Sequence, residues 1–356
     1  MRIAQIAPLA EAVPPKLYGG TERVVSFLTE ALVEQGHEVT LFASGDSVTN
    51  AKLRAVWPRA LRLDKGIRDT TVPHMLMMEE VRQSADAGEF DIMHFHMDYW
   101  PFSLFSRQPT PFLTTLHGRL DLPELKPMFA KFKDAPAISI SDHQRLPLPE
   151  ANWMRTIYHG LPENLLKPIP GAKPSYLAFL GRICPEKGVD TAIEIAARTG
   201  IPLKIAAKVD KADQEYFKTH IQPLLDRKVA DVEFIGEIND SQKSEFLSNA
   251  KALLFPITWP EPFGLVMIEA MACGTPVIAF GLGSVPEVIE HGKTGFIVED
   301  AQAAAASIQR LYEMPRASIR KRFEERFSSK IMAQAYVESY EELIHRAKHT
   351  KLHAVG

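Results

Sequence analysis

The chain has two cysteines, Cys184 and Cys273, in 356 residues. That is too few for a disulfide framework, and their separation excludes the CxxC spacing of zinc and redox sites. Such sparse thiol use fits a reducing compartment, and a cytoplasmic location is expected. No run of about 18 apolar residues occurs, and Met1-Arg-Ile-Ala-Gln-Ile-Ala-Pro8 is too short an apolar stretch for a signal peptide. Neither secretion by that route nor a membrane span is expected. An excess of one charge is also missing: 41 basic and 44 acidic side chains leave a formal charge of -3. With no basic field over the whole chain, a nucleic-acid partner is not expected.

Two familiar phosphate-binding motifs are missing as well. No Gly-x-Gly-x-x-Gly follows the first strand, and Gly281-Leu-Gly283 has Pro286 where the third glycine belongs, which removes the nicotinamide fingerprint. Gly292-Lys293-Thr294 resembles the end of a P-loop, but Glu287 stands where its first glycine is required. An NTPase is therefore not expected.

What is present is an ordinary globular composition, 46% hydrophobic and 24% charged, with length enough for two domains. Strand-like runs at 2–7, 39–43, 90–95, 112–116, 137–141 and 156–159 alternate with helical or loop segments, the first helix spanning 21–35. Lys167-Pro-Ile-Pro-Gly-Ala-Lys-Pro174 breaks the pattern and reads as a linker. The alternation then restarts, with strands at 176–180, 203–207, 232–235, 252–256 and 277–279 and helices at 190–197, 214–225, 242–250 and 262–272. Residues 301–351 are helical by pattern. These spans predict an α/β protein of two Rossmann-like doubly wound domains, 1–168 and 169–334, with a helix at about 335–356 packing back on the first.

Fold alone carries no chemistry, which must come from loops. In Trp259-Pro-Glu261-Pro-Phe263-Gly264-Leu265-Val-Met-Ile-Glu269, Pro262 suits a first helical position, placing Glu261 at the helix mouth. Helical rise then separates Glu261 from Glu269 by about 12 Å, the scale of a nucleoside diphosphate sugar. Carboxylates suit vicinal hydroxyls, and the amides of Phe263, Gly264 and Leu265 suit a diphosphate. The loop Gly181-Arg182-Ile-Cys-Pro-Glu-Lys187-Gly188 offers two cations for the same diphosphate. Tyr18-Gly19-Gly20-Thr21 permits close backbone approach to a ligand at a helix start. His117 ends a strand before Gly118 and can bond a sugar hydroxyl. Each element also has an ordinary structural reading: a helix glutamate, a solvated turn, a tight turn, a satisfied histidine. His94 and His96 share a strand face, but no third ligand has suitable spacing, so no metal site is expected. From Lys52 to Arg68 six cations meet one acid; a solvated or acceptor-facing surface is favoured there over an anionic membrane contact.

Taken together, Gly19-Gly20, His117, the Gly-Arg-x4-Lys-Gly loop and the Glu-x7-Glu stretch make the chain resemble the family 4 glycosyltransferases of GT-B fold, over nearly its whole length. The resemblance implies two Rossmann-like domains facing a cleft and retaining transfer of a hexose, UDP-glucose being the expected donor and the acceptor staying open. It implies that Arg182 and Lys187 bind the diphosphate, Glu261 the transferred sugar, Glu269 the ribose and His117 the sugar near its C6. Gly19, Gly20, Phe263, Gly264 and Leu265 would line the donor. Phe95-His-Met-Asp98-Tyr99-Trp100 and Gly118-Arg119-Leu-Asp121 are less standard and read as acceptor-side loops through Asp98, Tyr99, Arg119 and Asp121. No cofactor or metal is implied; metal-dependent transferases of the other common fold carry Asp-x-Asp, which this chain lacks. A sugar-nucleotide epimerase of the same architecture and a non-catalytic sugar-nucleotide or polysaccharide binding module are the competing readings.

Overall fold

The structure is a computed structural model describing residues 1–16 and 19–354, with side chains described to 349. The chain divides into two compact units, residues 1–160 with 329–356 and residues 161–328.

The first unit is built on a seven-stranded parallel sheet: β1 (Arg2–Ile6), β2 (Glu38–Ser44), β3 (Lys52–Trp57), β4 (Ile92–Phe95), β5 (Phe112–Thr115), β6 (Ala137–Ser139) and β7 (Trp153–Thr156). Their order is β3-β2-β1-β4-β5-β6-β7. The central strands are buried on both faces, so β1 and β4 read as near-continuous apolar runs rather than alternating ones. Ile6, Phe42, Met77, Phe95, Phe102 and Phe105 fill one side of the sheet. The helix Gly20–Glu34 covers the other, placing Val24, Val25, Leu28 and Leu32 inward at helical spacing. The carboxyl-terminal helix Ser329–Ala354 belongs to this unit and buries Tyr336 and Tyr340.

The second unit carries a six-stranded parallel sheet: β8 (Tyr176–Arg182), β9 (Leu203–Lys208), β10 (Val232–Phe234), β11 (Ala250–Phe255), β12 (Val277–Phe280) and β13 (Gly295–Val298). The order is β10-β9-β8-β11-β12-β13. Leu177, Phe179, Ile193, Ile205, Leu254 and Ile278 lie at the centre of its core.

Several boundaries differ from the sequence reading. The chain passes between units at Gly160 and Leu161 rather than at the proline-rich segment. The Leu161 amide donates to Phe327 O at 2.9 Å, and Arg320 holds the carbonyls of Glu163 and Leu166, both at 2.7 Å, tying 161–168 to the second unit. The return falls at Ser328 and Ser329, because the last helix begins there. The strand expected at 156–159 lies at Trp153–Thr156. Two strands escaped the reading. β3 sits in the cation-rich segment, as charged edge strands do. β13 is a four-residue edge opening on Gly295, whose Cβ would stand 2.0 Å from Val277 O. Tyr18, beside the Gly19-Gly20 turn, lies outside the described residues. Among the described residues no helix is long and apolar enough to cross a membrane.

Candidate functional site

In an open parallel sheet, ligands bind beyond the carboxyl ends of the strands where the strand order reverses. In the second unit that point lies between β8 and β11. The two loops singled out in the sequence leave these two strands. Gly188 ends the first in the left-handed region (φ 67°), and a Cβ there would stand 2.1 Å from Pro256 O, so only glycine lets the β8 loop close on the β11 loop. The Thr258 amide fastens the contact by donating to Glu186 O at 3.0 Å.

This closure brings Lys187 onto Glu261. Lys187 Nζ pairs with Glu261 Oε2, which also accepts Trp259 Nε1 at 2.9 Å, and the ammonium stands 5.4 Å from the Trp259 ring centroid. Arg182, the last residue of β8, faces the acids that follow β9: its guanidinium is 3.9 Å from Asp210 and 3.5 Å from Asp213. The helix expected from Pro262 begins only at Leu265, after Gly264 at φ 80°. Glu261 therefore stands in a loop, not at a helix mouth, and the spacing inferred from helical rise does not apply. The loop is pinned from β12: a Cβ on Gly283 would lie 2.3 Å from Glu261 O, the Ser284 amide donates to that oxygen at 3.0 Å, and Ser284 Oγ donates to Phe263 O at 2.7 Å. Phe263 itself is buried, and within the opening turn of the helix the Met267 amide donates to Gly264 O at 3.0 Å. Glu269 is almost fully buried, 2.7 Å from Lys243 Nζ. The pairs therefore run Lys187 to Glu261 and Lys243 to Glu269.

In the first unit the order reverses between β1 and β4. The segment after β1 leads to Gly19, which precedes the helix in extended conformation (φ -175°), and Gly20, whose missing Cβ leaves open space. After β4 come His96, Asp98 and Tyr99; after β5 comes His117. The buried Gln144 fixes the backbone around His117, donating from Nε2 to Leu116 O at 2.9 Å and to Gly118 O at 2.8 Å. Asp98 sits at φ 48°, its carbonyl accepts Thr114 Oγ1 at 2.6 Å, and its carboxylate accepts the His117 amide. His117 Nε2 lies 2.9 Å from His96 Nδ1, and its ring stacks on His159 at 5.3 Å. Burial pushes the His117 imidazole down to about 3 and drives His94, His96 and His159 well below the ordinary histidine range. These rings are neutral at pH 7. Arg119 and Asp121 form an exposed bidentate pair, both bonds 2.7 Å. Tyr99 packs half-buried against the core. In the basic segment, Arg54 bonds Ser84 and Glu89, and Arg62 pairs with Glu11 at 2.9 Å.

Sequence reasoning missed Trp259, Gly283, Ser284, Lys243, Asp210 and Asp213 around the second-unit loops, and Gln5, Tyr336 and Tyr340 behind His117. All but Trp259, which lies two residues from Glu261 and within reach of local inspection, meet their partners from another element of the fold. Among the described residues no group of three or more His, Cys, Asp or Glu could hold a metal ion.

Two family profiles match the chain, "Glycosyltransferase Family 4" over residues 18–159 and "Glycosyl transferases group 1" over 166–329. α-Maltose-1-phosphate synthase of Mycolicibacterium smegmatis is 35% identical over 143 residues, an alignment spanning 38% of this chain and 36% of that protein. N-acetyl-α-D-glucosaminyl L-malate synthase of Bacillus anthracis is 25% identical over 89% of this chain and 90% of its own length. Among solved structures, HepE of Anabaena in complex with UDP superposes with a TM-score of 0.73 at 20% identity, over 96% of this chain and 100% of that one. With paired sheets of this topology and both halves matched in order, the chain belongs to the family 4 glycosyltransferases of GT-B fold.

Proposed function

We propose that the protein transfers a hexose from a nucleoside diphosphate sugar, UDP-glucose in first place, to an acceptor hydroxyl with retention of anomeric configuration. The observation that carries this reading is the placement of Arg182, Lys187 and Glu261 on the loops that leave β8 and β11, the two sides of the strand-order reversal. Two cations at that point suit a diphosphate leaving group, and the opening amides of the helix Leu265–Ala272 add a partial positive charge. UDP bound to a structural neighbour of the same fold supports a uridine nucleotide.

Retention is what the family resemblance implies, and the way Glu261 is held speaks against a covalent intermediate on the way to it. A double displacement needs a carboxylate free to attack the anomeric carbon. Glu261 Oε2 already accepts from Lys187 and Trp259, an arrangement suited to receiving hydroxyls rather than forming a bond to carbon. Attack then comes from the leaving-group face: the anomeric carbon to diphosphate bond breaks, the acceptor oxygen bonds to that carbon, and the acceptor's proton passes to a diphosphate oxygen. His117, Asp98 and the Gly19-Gly20 turn are assigned to the hexose and acceptor side. Arg182 and Lys187 take the place a divalent ion fills elsewhere, so transfer should survive EDTA.

A panel of sugar nucleotides assayed for thermal stabilisation identifies the donor, since a ligand at about a hundred times its Kd adds about 2.7 kcal/mol. Free UDP that appears only with an acceptor marks a transferase, because an epimerase and a binding module release none. NMR of the first-formed product then gives the anomer: an α product from an α donor is expected, and a β product overturns the mechanism.

A further inference from the structure

Behind His117 lies a continuous buried chain of polar side chains that the proposed reaction does not use. His117 Nε2 meets His96 Nδ1 at 2.9 Å; His96 Nε2 meets Gln5 Oε1 at 2.8 Å; Gln5 Nε2 donates to Tyr340 OH at 3.0 Å. Tyr340 OH then meets His94 Nδ1 at 2.7 Å, His94 Nε2 meets Thr115 Oγ1 at 2.8 Å, and Thr115 Oγ1 meets Tyr336 OH at 2.9 Å. All these residues belong to the first unit, and both tyrosines come from the carboxyl-terminal helix.

A neutral imidazole has one donor nitrogen and one acceptor nitrogen, and an amide oxygen only accepts. Gln5 Oε1 therefore takes the proton of His96 Nε2, which leaves His96 Nδ1 as an acceptor and makes His117 Nε2 the donor. The far side agrees: the Gln5 amide donates to Tyr340, Tyr340 donates to His94 Nδ1, and His94 Nε2 donates to Thr115. Only the wholesale reversal, with the Gln5 amide turned over, is equally self-consistent along the chain. Reversal would put the proton on His117 Nδ1, a buried atom with no partner. An orphaned buried N–H is costlier than a bare acceptor, so the first polarity is the stable one. Burial agrees, since it holds all three imidazoles neutral.

We propose that Gln5, held in orientation by Tyr340, is a positioning residue that acts through His96 to fix His117 as its Nε2–H tautomer, with the buried Nδ1 left unprotonated. The tautomer stands independently of the proposed function.

The test begins on ligand-free wild-type protein labelled with 15N-histidine. His117, assigned with a His117→Gln variant, is expected to show a protonated Nε2 and a bare Nδ1; a protonated Nδ1 overturns the proposal. In Gln5→Met both His117 tautomers are expected, whereas Gln5→Glu, which still accepts from His96, keeps the wild-type one. An unchanged His117 in folded Gln5→Met overturns the role of Gln5, and if that variant does not fold, the wild-type spectrum still decides the tautomer.

Discussion

Lys187 and Glu261, expected to hold different parts of a donor, hold each other: the ammonium pairs with Oε2, with the two side chains 19% and 13% exposed. Removing either one strands the other in a poorly solvated place. Lys187→Ala and Glu261→Ala should each cost on the order of 3 kcal/mol of stability, and the double variant should cost clearly less than their sum. Urea denaturation of the four proteins measures this. Strictly additive losses would show that the pair contributes nothing to the fold.

Arg182 is a different case, since it is 36% exposed and its acidic neighbours stand at 3.5 and 3.9 Å. Such contacts contribute little to stability. Arg182→Ala should leave the urea midpoint nearly unchanged while lowering kcat by two or more orders of magnitude, as loss of a charge-stabilising group does. Turnover close to wild type in a steady-state assay with the identified donor would remove Arg182 from the diphosphate site.

For Glu269, burial dominates: the side chain is 3% exposed and its partner Lys243 12%. Glu269→Ala leaves the ammonium of Lys243 with Asp240 alone, 3.4 Å away, with an expected loss of roughly 2–3 kcal/mol. The neutral pair Glu269→Gln with Lys243→Met should be more stable than Glu269→Ala alone. Both should bind the nucleotide more weakly than wild type if Glu269 also serves the ribose, and calorimetry with UDP tests that separately from the melts. Wild-type UDP affinity in the folded double variant would end that assignment.

Two glycines separate backbone strain from steric closure. Gly200 and Gly188 have φ of 66° and 67°, but a Cβ on Gly200 meets nothing within 4 Å, whereas on Gly188 it meets Pro256 O at 2.1 Å. Gly200→Ala should cost about 1–2 kcal/mol, the strain of the left-handed region alone. Gly188→Ala should cost distinctly more and disturb the β8 and β11 loops. Equal thermal midpoints would mean that the loops do not close as described.

The buried imidazoles predict a pH dependence of stability. His117 titrates near 3 and His94, His96 and His159 lie well below 6.5 in the folded protein, while in the unfolded chain each protonates near 6.5. Below that pH the unfolded state binds more protons, so stability is fully present above pH 6.5 and is lost as pH falls toward the folded values. Each of the four groups adds to the loss in the same direction as pH falls below 6.5. Urea midpoints at pH 7.5, 6.5 and 5.5 should fall steeply below 6.5; a flat profile would mean that the native histidines accept protons.

The sequence by itself determined the two α/β units and the loops that carry chemistry, because buried parallel strands must be apolar throughout and because Gly188 and Gly264 mark turns that other residues fill poorly. Arg182, Lys187, Glu261 and His117 were legible for the same reason: each is a chemically distinct side chain beside such a turn at the end of a strand. What only the tertiary structure decided is which charge meets which. The pairing of Lys187 with Glu261 spans 74 residues and that of Lys243 with Glu269 spans 26, while Tyr340 reaches Gln5 across 335. Local propensity has no term for such partners, since they meet only after parallel strands distant in the chain have docked side by side. The start of the helix at Leu265 was hidden for a related reason: Pro262 is a good first helical residue, but Gly283 and Ser284, brought up from the next strand, hold Glu261 and Phe263 out of the helix.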